Sequence, residues 1–131
     1  MNVQGKMRAR PLLKKGTVTK LLPLIDSEGV SLVARGMMKS TQTNQGFLQA
    51  FYKNQTDSKA TKNQTWLERR QGFINRHYRQ GRKLWKPNGN PTRLHLALIA
   101  WGYSPEPQKL KEYIKRNGLK NRAVKPFVNL D

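Results

Sequence analysis

The amino-acid sequence predicts an all-α fold: a small bundle of four to five helices with basic, extended N- and C-terminal tails. Apolar residues recur at helical spacing in several segments, and helix-capping residues stand at the expected places. Both chain ends are basic and lack a sustained apolar period. These patterns predict an arm over residues 1–24, a helical domain over residues 25–118 and a tail over residues 119–131.

The predicted arm and tail are defined by their charge. The arm has no acidic residue before Asp26, and the tail contains Pro126, which blocks a regular helix there. The cations of the two ends are Lys6, Arg8, Arg10, Lys14, Lys15 and Lys20 in the arm, and Lys120, Arg122 and Lys125 in the tail.

Two helices are predicted in the first half of the helical domain. Asp26 or Ser27 can cap the first, and a second, short helix follows Asn44. Residues 54–64 are polar and predict a solvated loop. The apolar residues at helical spacing are Val30, Val33, Ala34, Met37 and Met38 in the first helix, and Phe47, Leu48, Phe51 and Tyr52 in the second.

The third helix has the clearest start, because Thr65 and Glu68 form a capping box. A fourth helix, Thr92 to Trp101, is bracketed by Asn90 as cap, Pro91 at the first helical position and Gly102 beyond the end. It is apolar almost all round, which predicts a central position; a strand is the competing assignment. The fifth helix follows Pro107, with Leu110, Tyr113 and Ile114 facing inward and Gly118 at its end.

Positive charge dominates the composition. The 131 residues include 26 Lys and Arg but only 7 Asp and Glu, which gives a formal net charge of +19. Self-repulsion on this scale opposes compaction, so such a chain is expected beside a polyanion, and nucleic acid is the commonest polyanion inside a cell.

Several classes of protein are disfavoured by the composition. The chain has no Cys, which excludes disulfides and thiolate zinc sites. Residues 1–15 lack the apolar core of a signal peptide, and no apolar stretch approaches the roughly 20 residues that a membrane span needs. We therefore expect a soluble protein with no membrane partner, located in the cytoplasm beside the nucleoid or within a virion.

The cations after Glu68 predict the nucleic-acid contact. Arg69, Arg76 and Arg79 fall on one face of the third helix and can form a positive stripe that meets phosphates. A solvated face and an anionic membrane surface are the alternatives. The complete predicted set is Arg69, Arg70, Arg76, Arg79, Arg82, Lys83, Lys86 and Arg93, with Lys6, Arg8, Arg10, Lys14 and Lys15 of the arm and with Trp85.

Two of the tryptophans have different expected roles. Trp85, in a basic loop with Gly and Pro, can stack on an unpaired base or pack locally against the third and fourth helices. Trp101 lies inside the apolar helix and is expected in the core.

Catalysis is not predicted. His77, Asn88 or Asn90, and His95 follow the order of residues in some metal-dependent nucleases, but no carboxylate lies between Glu68 and Glu106. We expect both histidines at the edge of the core, bonded to backbone or Tyr hydroxyl groups. The sequence contains no P-loop, Gly-rich dinucleotide motif or nucleophile elbow, so no catalytic residue, metal or cofactor is predicted.

Residues 66–105 resemble a family of short, basic bacterial and phage proteins that is known only as a domain of unknown function. The resemblance implies a shared fold and a bacterial or phage origin, but it supplies no activity. The matching residues are Trp66, Arg70, Phe73, Ile74, Arg76, His77, Trp85, Gly89, Pro91, Thr92, Arg93, His95, Leu96 to Trp101, Tyr103, Ser104 and Pro105.

These observations favour a nucleic-acid-binding protein, for DNA or RNA, that contacts the phosphate backbone largely independently of sequence within a larger nucleoprotein assembly. The first alternative is a structural component of a phage virion or ribosome-like particle, with protein neighbours around its tails. The second alternative is a metal-dependent nuclease.

Overall fold

The computed structural model describes residues 10–28, 30, 45–78 and 81–120. This part of the chain contains five helices and no strand, which confirms the all-α class. The helices are α1 (Lys15–Ser27), α2 (Phe47–Tyr52), α3 (Trp66–Tyr78), α4 (Arg93–Ala100) and α5 (Pro107–Arg116). The predicted cap of the first helix is wrong, because Asp26 and Ser27 lie in the last turn of α1. Most of that predicted helix and the outer parts of both predicted tails lie outside the described residues.

Helix α1 corrects the predicted N-terminal arm. The prediction is wrong for residues 15–24, which are helical, because the apolar side chains of this segment recur at the helical period between its lysines. The side chains of Val18, Leu21, Leu22 and Ile25 are all buried, and they hold α1 against the rest of the protein.

The starts of the next two helices follow from their capping residues. At α2, the Gly46 N–H donates to Gln49 Oε1 at 3.1 Å. At α3, the predicted capping box is confirmed. The Thr65 N–H donates to Glu68 Oε1 at 2.8 Å, and the Glu68 N–H donates to Thr65 Oγ1 at 3.2 Å. Residues 54–64, between these helices, form the predicted loop.

Helix α4 is confirmed as a helix rather than a strand, but its predicted cap is wrong. Thr92 caps it, since Thr92 Oγ1 accepts the His95 N–H at 3.2 Å, while Asn90 Oδ1 accepts the hydroxyl of Tyr113. Pro91 therefore precedes the cap. Gly102 reverses the chain with φ +72°, a conformation that residues with a Cβ adopt at a cost.

Helix α4 lies at the centre of the fold, as its composition predicts. Helix α1 packs against α4 and α5, and α3 packs against α2 and α4. Directly after α4, Trp101 is 4% exposed and confirms its predicted core position. Its ring stacks between those of Phe47 and Phe73, with centroids 4.9 and 4.6 Å away.

Replacing Leu21 by Ala tests whether α1 is part of the folded core. Leu21 is completely buried, so Leu21→Ala is expected to lower the free energy of unfolding by about 2–5 kcal/mol, as measured by urea denaturation. Leu12→Ala is the control, because Leu12 is 39% exposed and its truncation leaves a smaller cavity. Equal and small effects of both substitutions would contradict the docking of α1.

Candidate nucleic-acid interface

Arg70 was predicted to contact phosphates, but it lies in the protein interior with 0% of its surface exposed. Its guanidinium donates to four backbone carbonyl oxygens. Nε donates to Trp101 O at 2.6 Å and Nη1 to Arg10 O at 2.7 Å. Nη2 donates to Pro11 O at 2.9 Å and to Gly102 O at 3.0 Å. Four of its five N–H groups therefore donate within the protein.

The burial of Arg70 removes it from the set of residues that can reach a ligand. Burial lowers the pKa of Arg70 to about 10, and the guanidinium still carries its charge at neutral pH. The sequence contains a signal for this position, because Arg70 lies on the same face of α3 as Trp66, Phe73 and Ile74. We conclude that Arg70 joins residues 10–11 to residues 101–102.

Arg10, also predicted to contact phosphates, makes its contacts within the fold. Its Nη1 donates to Asn75 Oδ1, and its guanidinium carbon lies 5.5 Å from the ring centroid of Tyr103 and 6.0 Å from that of Tyr78. The other cations predicted for the arm have different environments. Lys15 Nζ donates to Asn54 Oδ1, Lys14 is exposed, and Lys6 and Arg8 lie outside the described residues.

His95 anchors the basic loop between α3 and α4. It is completely buried, deeper than the predicted core edge, and its partners include a Ser hydroxyl instead of the expected Tyr hydroxyl. Nδ1 donates to Leu84 O at 3.1 Å, and Nε2 accepts the Ser104 hydroxyl at 2.8 Å. Ser104 Oγ in turn accepts the Glu106 N–H at 3.1 Å. A carbonyl oxygen can only accept, which places a proton on Nδ1. Burial lowers the pKa of His95 to about 4, so at neutral pH the ring is neutral and Nε2 is the acceptor.

Trp85 uses its ring for local packing. The indole meets the ring of His95 edge-on at 4.9 Å and lies 6.0 Å from that of Tyr113, while Nε1 donates to Glu106 Oε1. Lys109 Nζ lies 5.0 Å from the indole centroid. Trp85 therefore packs locally against α4 and α5. The prediction of local packing named the third and fourth helices, so it is correct for the fourth helix and wrong for the third.

Four predicted cations lie in the loop before α4 and at the start of that helix. We call Arg82, Lys83, Lys86 and Arg93 the loop cluster. Lys86 Nζ forms an ion pair with Glu28 Oε2 at 3.2 Å, and Arg93 Nε donates to Glu28 O at 3.1 Å. The Lys83 carbonyl accepts the Thr92 hydroxyl at 2.7 Å, which places Lys83 beside Arg93. Arg82, Lys83 and Arg93 are exposed.

The predicted stripe on α3 is only partly within the described residues. The guanidinium carbon of Arg69 lies 5.6 Å from the ring centroid of Trp66, and Arg76 is exposed one turn beyond Gly72. Arg79 lies outside the described residues. The stripe of three arginines thus stays a prediction.

A second concentration of positive charge lies between α1 and α5, where no contact was predicted. A groove of about 430 Å³ separates the two helices, and we call it the lysine groove. Its lining residues are Thr17, Lys20, Lys111, Ile114, Lys115, Gly118, Leu119 and Lys120. The sequence signal for it is weak: Lys111 and Lys115 stand four apart on one helix, but Lys20 lies far away along the chain.

The remaining nuclease candidates have local partners. His77 Nδ1 bonds to Phe73 O at 2.9 Å, which agrees with the expected backbone contact, and Asn88 Oδ1 accepts the Asn90 N–H at 3.0 Å. Within residues 10–28, 30, 45–78 and 81–120, no three His, Cys, Asp or Glu side chains are placed to hold one metal ion. None of the helices in these ranges is long and apolar enough to cross a membrane.

No protein-family model matches the chain, and neither a curated protein nor a solved structure shows significant similarity to it.

Replacing Arg70 by Ala is expected to destabilise the fold. Arg70→Ala removes hydrogen bonds to four carbonyl oxygens, of which Gly102 O keeps the Leu13 N–H as a donor, and should lower the free energy of unfolding by about 2–5 kcal/mol in urea denaturation. The neighbouring Arg69→Ala is the control and should cost about 1 kcal/mol or less, since it removes one cation–π contact. A structural role for Arg70 would be refuted by equal costs.

Protonation of His95 is expected to destabilise the protein in acid. Burial lowers the pKa of His95 to about 4 in the folded protein, below the ordinary value of 6.5. In the pH range between these values the unfolded chain binds a proton that the folded protein does not. The free energy of unfolding should therefore fall by about 2–3 kcal/mol between neutral pH and about pH 4.5.

The control for this prediction is His95→Gln, which cannot titrate. Carboxylates contribute to acid destabilisation in both proteins, so the difference between the two pH profiles isolates His95. Parallel profiles over this range would contradict a buried, neutral His95.

Proposed function

We propose that the protein binds nucleic acid through the phosphate backbone, largely independently of sequence, and that the loop cluster is its principal contact surface. The loop cluster is the observation that carries this proposal. Three of its members, Arg82, Lys83 and Arg93, are exposed, and the fourth, Lys86, is held beside them by Glu28. Exposed guanidinium and ammonium groups at this density suit phosphate oxygens.

The loop is also preorganised for such a contact. The His95 Nδ1–H holds the carbonyl of Leu84, and the Thr92 hydroxyl holds the carbonyl of Lys83. A ligand that meets cations on an already ordered loop loses less conformational entropy than one that must order the loop itself. The internal bonds of the loop therefore favour its use as a binding surface.

The geometry argues for contact with the backbone rather than with base edges. Helix α4 is buried from His95 to Ala100, so it cannot enter a major groove as the recognition helix of a helix-turn-helix protein does. The Trp85 ring contacts His95, Tyr113 and Lys109, which leaves base stacking without its best candidate. Phosphate contacts remain as the main source of affinity.

A structural component of a virion or ribosome-like particle is the second candidate. It is supported by the cations at the two ends of the chain, which include Lys6, Arg8, Arg122 and Lys125. The resemblance of residues 66–105 to short basic bacterial and phage proteins also favours this setting. In such a particle the loop cluster would still meet phosphates, and the protein would co-purify with its neighbours at fixed stoichiometry.

The proposal is tested by removing two exposed charges from the loop cluster. Arg82→Gln/Lys83→Gln should weaken nucleic-acid binding and flatten its salt dependence. The slope of log K against log salt should fall by about 1.8 on duplex DNA, or by about 1.4 on a single strand, if each residue contacts one phosphate. Fluorescence anisotropy at several salt concentrations measures both quantities.

Lys59→Gln/Lys62→Gln is the matched control. It also removes two exposed positive charges, but from the loop that precedes α3. Helix α3 has 13 residues and so separates this loop from the loop cluster by about 20 Å at 1.5 Å per residue. An identical change in slope for both variants would show that net charge, rather than the loop cluster, determines binding.

A further inference from the structure

The lysine groove is lined by four lysines, of which Lys20 is distant in sequence from the other three. Lys20 comes from α1, Lys111 and Lys115 come from one face of α5, and Lys120 follows that helix. None of the described residues that line the groove is acidic. Four lysines around one groove give it a positive potential, which favours an anionic occupant.

The floor of the groove differs from its rim. Ile114 and Leu119 contribute apolar lining, and both pack into the core, Ile114 being 7% exposed. Gly118 has open space where a side chain would stand. The Thr17 hydroxyl adds a short hydrogen-bonding group on the α1 side.

The volume of the groove limits the size of a ligand that it can hold. About 430 Å³ falls within the range of about 300–1,000 Å³ that is typical of small-ligand sites. A short stretch of a single nucleic-acid strand fits this description, because its sugars are less polar than its phosphates and the two alternate along the chain. A duplex is too wide to enter such a groove.

The groove is separate from the loop cluster. Thr17 and Lys20 line the groove in the first half of α1, whereas Glu28, which holds Lys86 and Arg93, follows the end of that helix. The 11 residues from Thr17 to Glu28 correspond to about 16 Å along the helix axis. The groove and the loop cluster therefore lie toward opposite ends of α1.

We propose that the lysine groove is a second phosphate-binding site, which holds the backbone of a nucleic-acid single strand with its phosphates against the lysines and its sugars over Ile114 and Leu119. This inference rests on the proposed function, because it names a second contact for the same ligand class. With both surfaces occupied, the loop cluster and the lysine groove would bind two segments of one strand, or two strands, at once.

The experiment follows the amide NMR signals of Thr17 and Gly118 while a 12-nucleotide single strand or inorganic tripolyphosphate is added. Both signals should shift in the native protein with either probe. They should not shift in Lys111→Gln/Lys115→Gln, whose slope of log K against log salt on the strand should also fall by about 1.4.

Lys109→Gln/Arg116→Gln is the matched control on the same helix. These two cations are exposed but lie over the rings of Trp85 and Tyr113, outside the groove lining. In this variant the shifts of Thr17 and Gly118 should persist. Melting temperatures of all variants establish that each is folded.

The outcomes separate this inference from the proposed function. Absence of the shifts with both probes in the native protein would overturn the groove site. The effect of Arg82→Gln/Lys83→Gln on affinity would still test the loop cluster independently. Shifts with tripolyphosphate but not with the strand would overturn the nucleic-acid occupant. Shifts that persist in Lys111→Gln/Lys115→Gln would place the bound phosphate elsewhere.

Discussion

The buried guanidinium of Arg70 is the contact on which the arrangement of the described helices depends. It donates to carbonyl oxygens of residues 10, 11, 101 and 102, and so fastens the segment before α1 to the turn after α4. The Leu13 N–H adds a bond of 2.7 Å to Gly102 O at the same junction. Helix α1 begins two residues later, so its docking on α4 starts from this point. A charge is tolerated here because several carbonyl dipoles replace the lost water.

The cations of this protein fall into two groups with different uses. Arg10 and Arg70 stabilise the fold, and their side chains contact carbonyls, an amide and aromatic rings. Arg82 and Lys83 are exposed on a loop that His95 and Thr92 hold in place, and Arg93 is exposed at the start of α4. Net charge alone therefore does not say which cations are free to meet a partner, because some of them are used inside the fold.

The neutral His95 connects the interior to the proposed binding surface. One ring nitrogen holds the loop through Leu84 O, and the other holds the turn before α5 through Ser104. Trp85 covers the imidazole and reaches Glu106 and Tyr113. The loop cluster and α5 are consequently parts of one packed unit, and the lysine groove occupies the other side of α5, toward α1.

Local sequence determined most of the helices. The capping box of Thr65 and Glu68 begins α3, and the apolar spacing of Leu110, Tyr113 and Ile114 defines α5, because both signals act within one or two helical turns. The same kind of signal existed for α1, where Val18, Leu21, Leu22 and Ile25 follow the helical period, but the surrounding lysines suggested an arm instead.

Only the tertiary structure decided which cations are buried and which of them lie on the same surface. The partners of Arg70 include carbonyls about 60 residues away in sequence, and the lysine groove joins Lys20 to Lys111 across the α1–α5 contact. No local pattern encodes such pairs, because an Arg at an inward-facing helical position is stable only when distant backbone groups supply its hydrogen bonds. Sequence alone therefore established the charge and most of the helices, whereas packing decided which cations are buried and which are exposed.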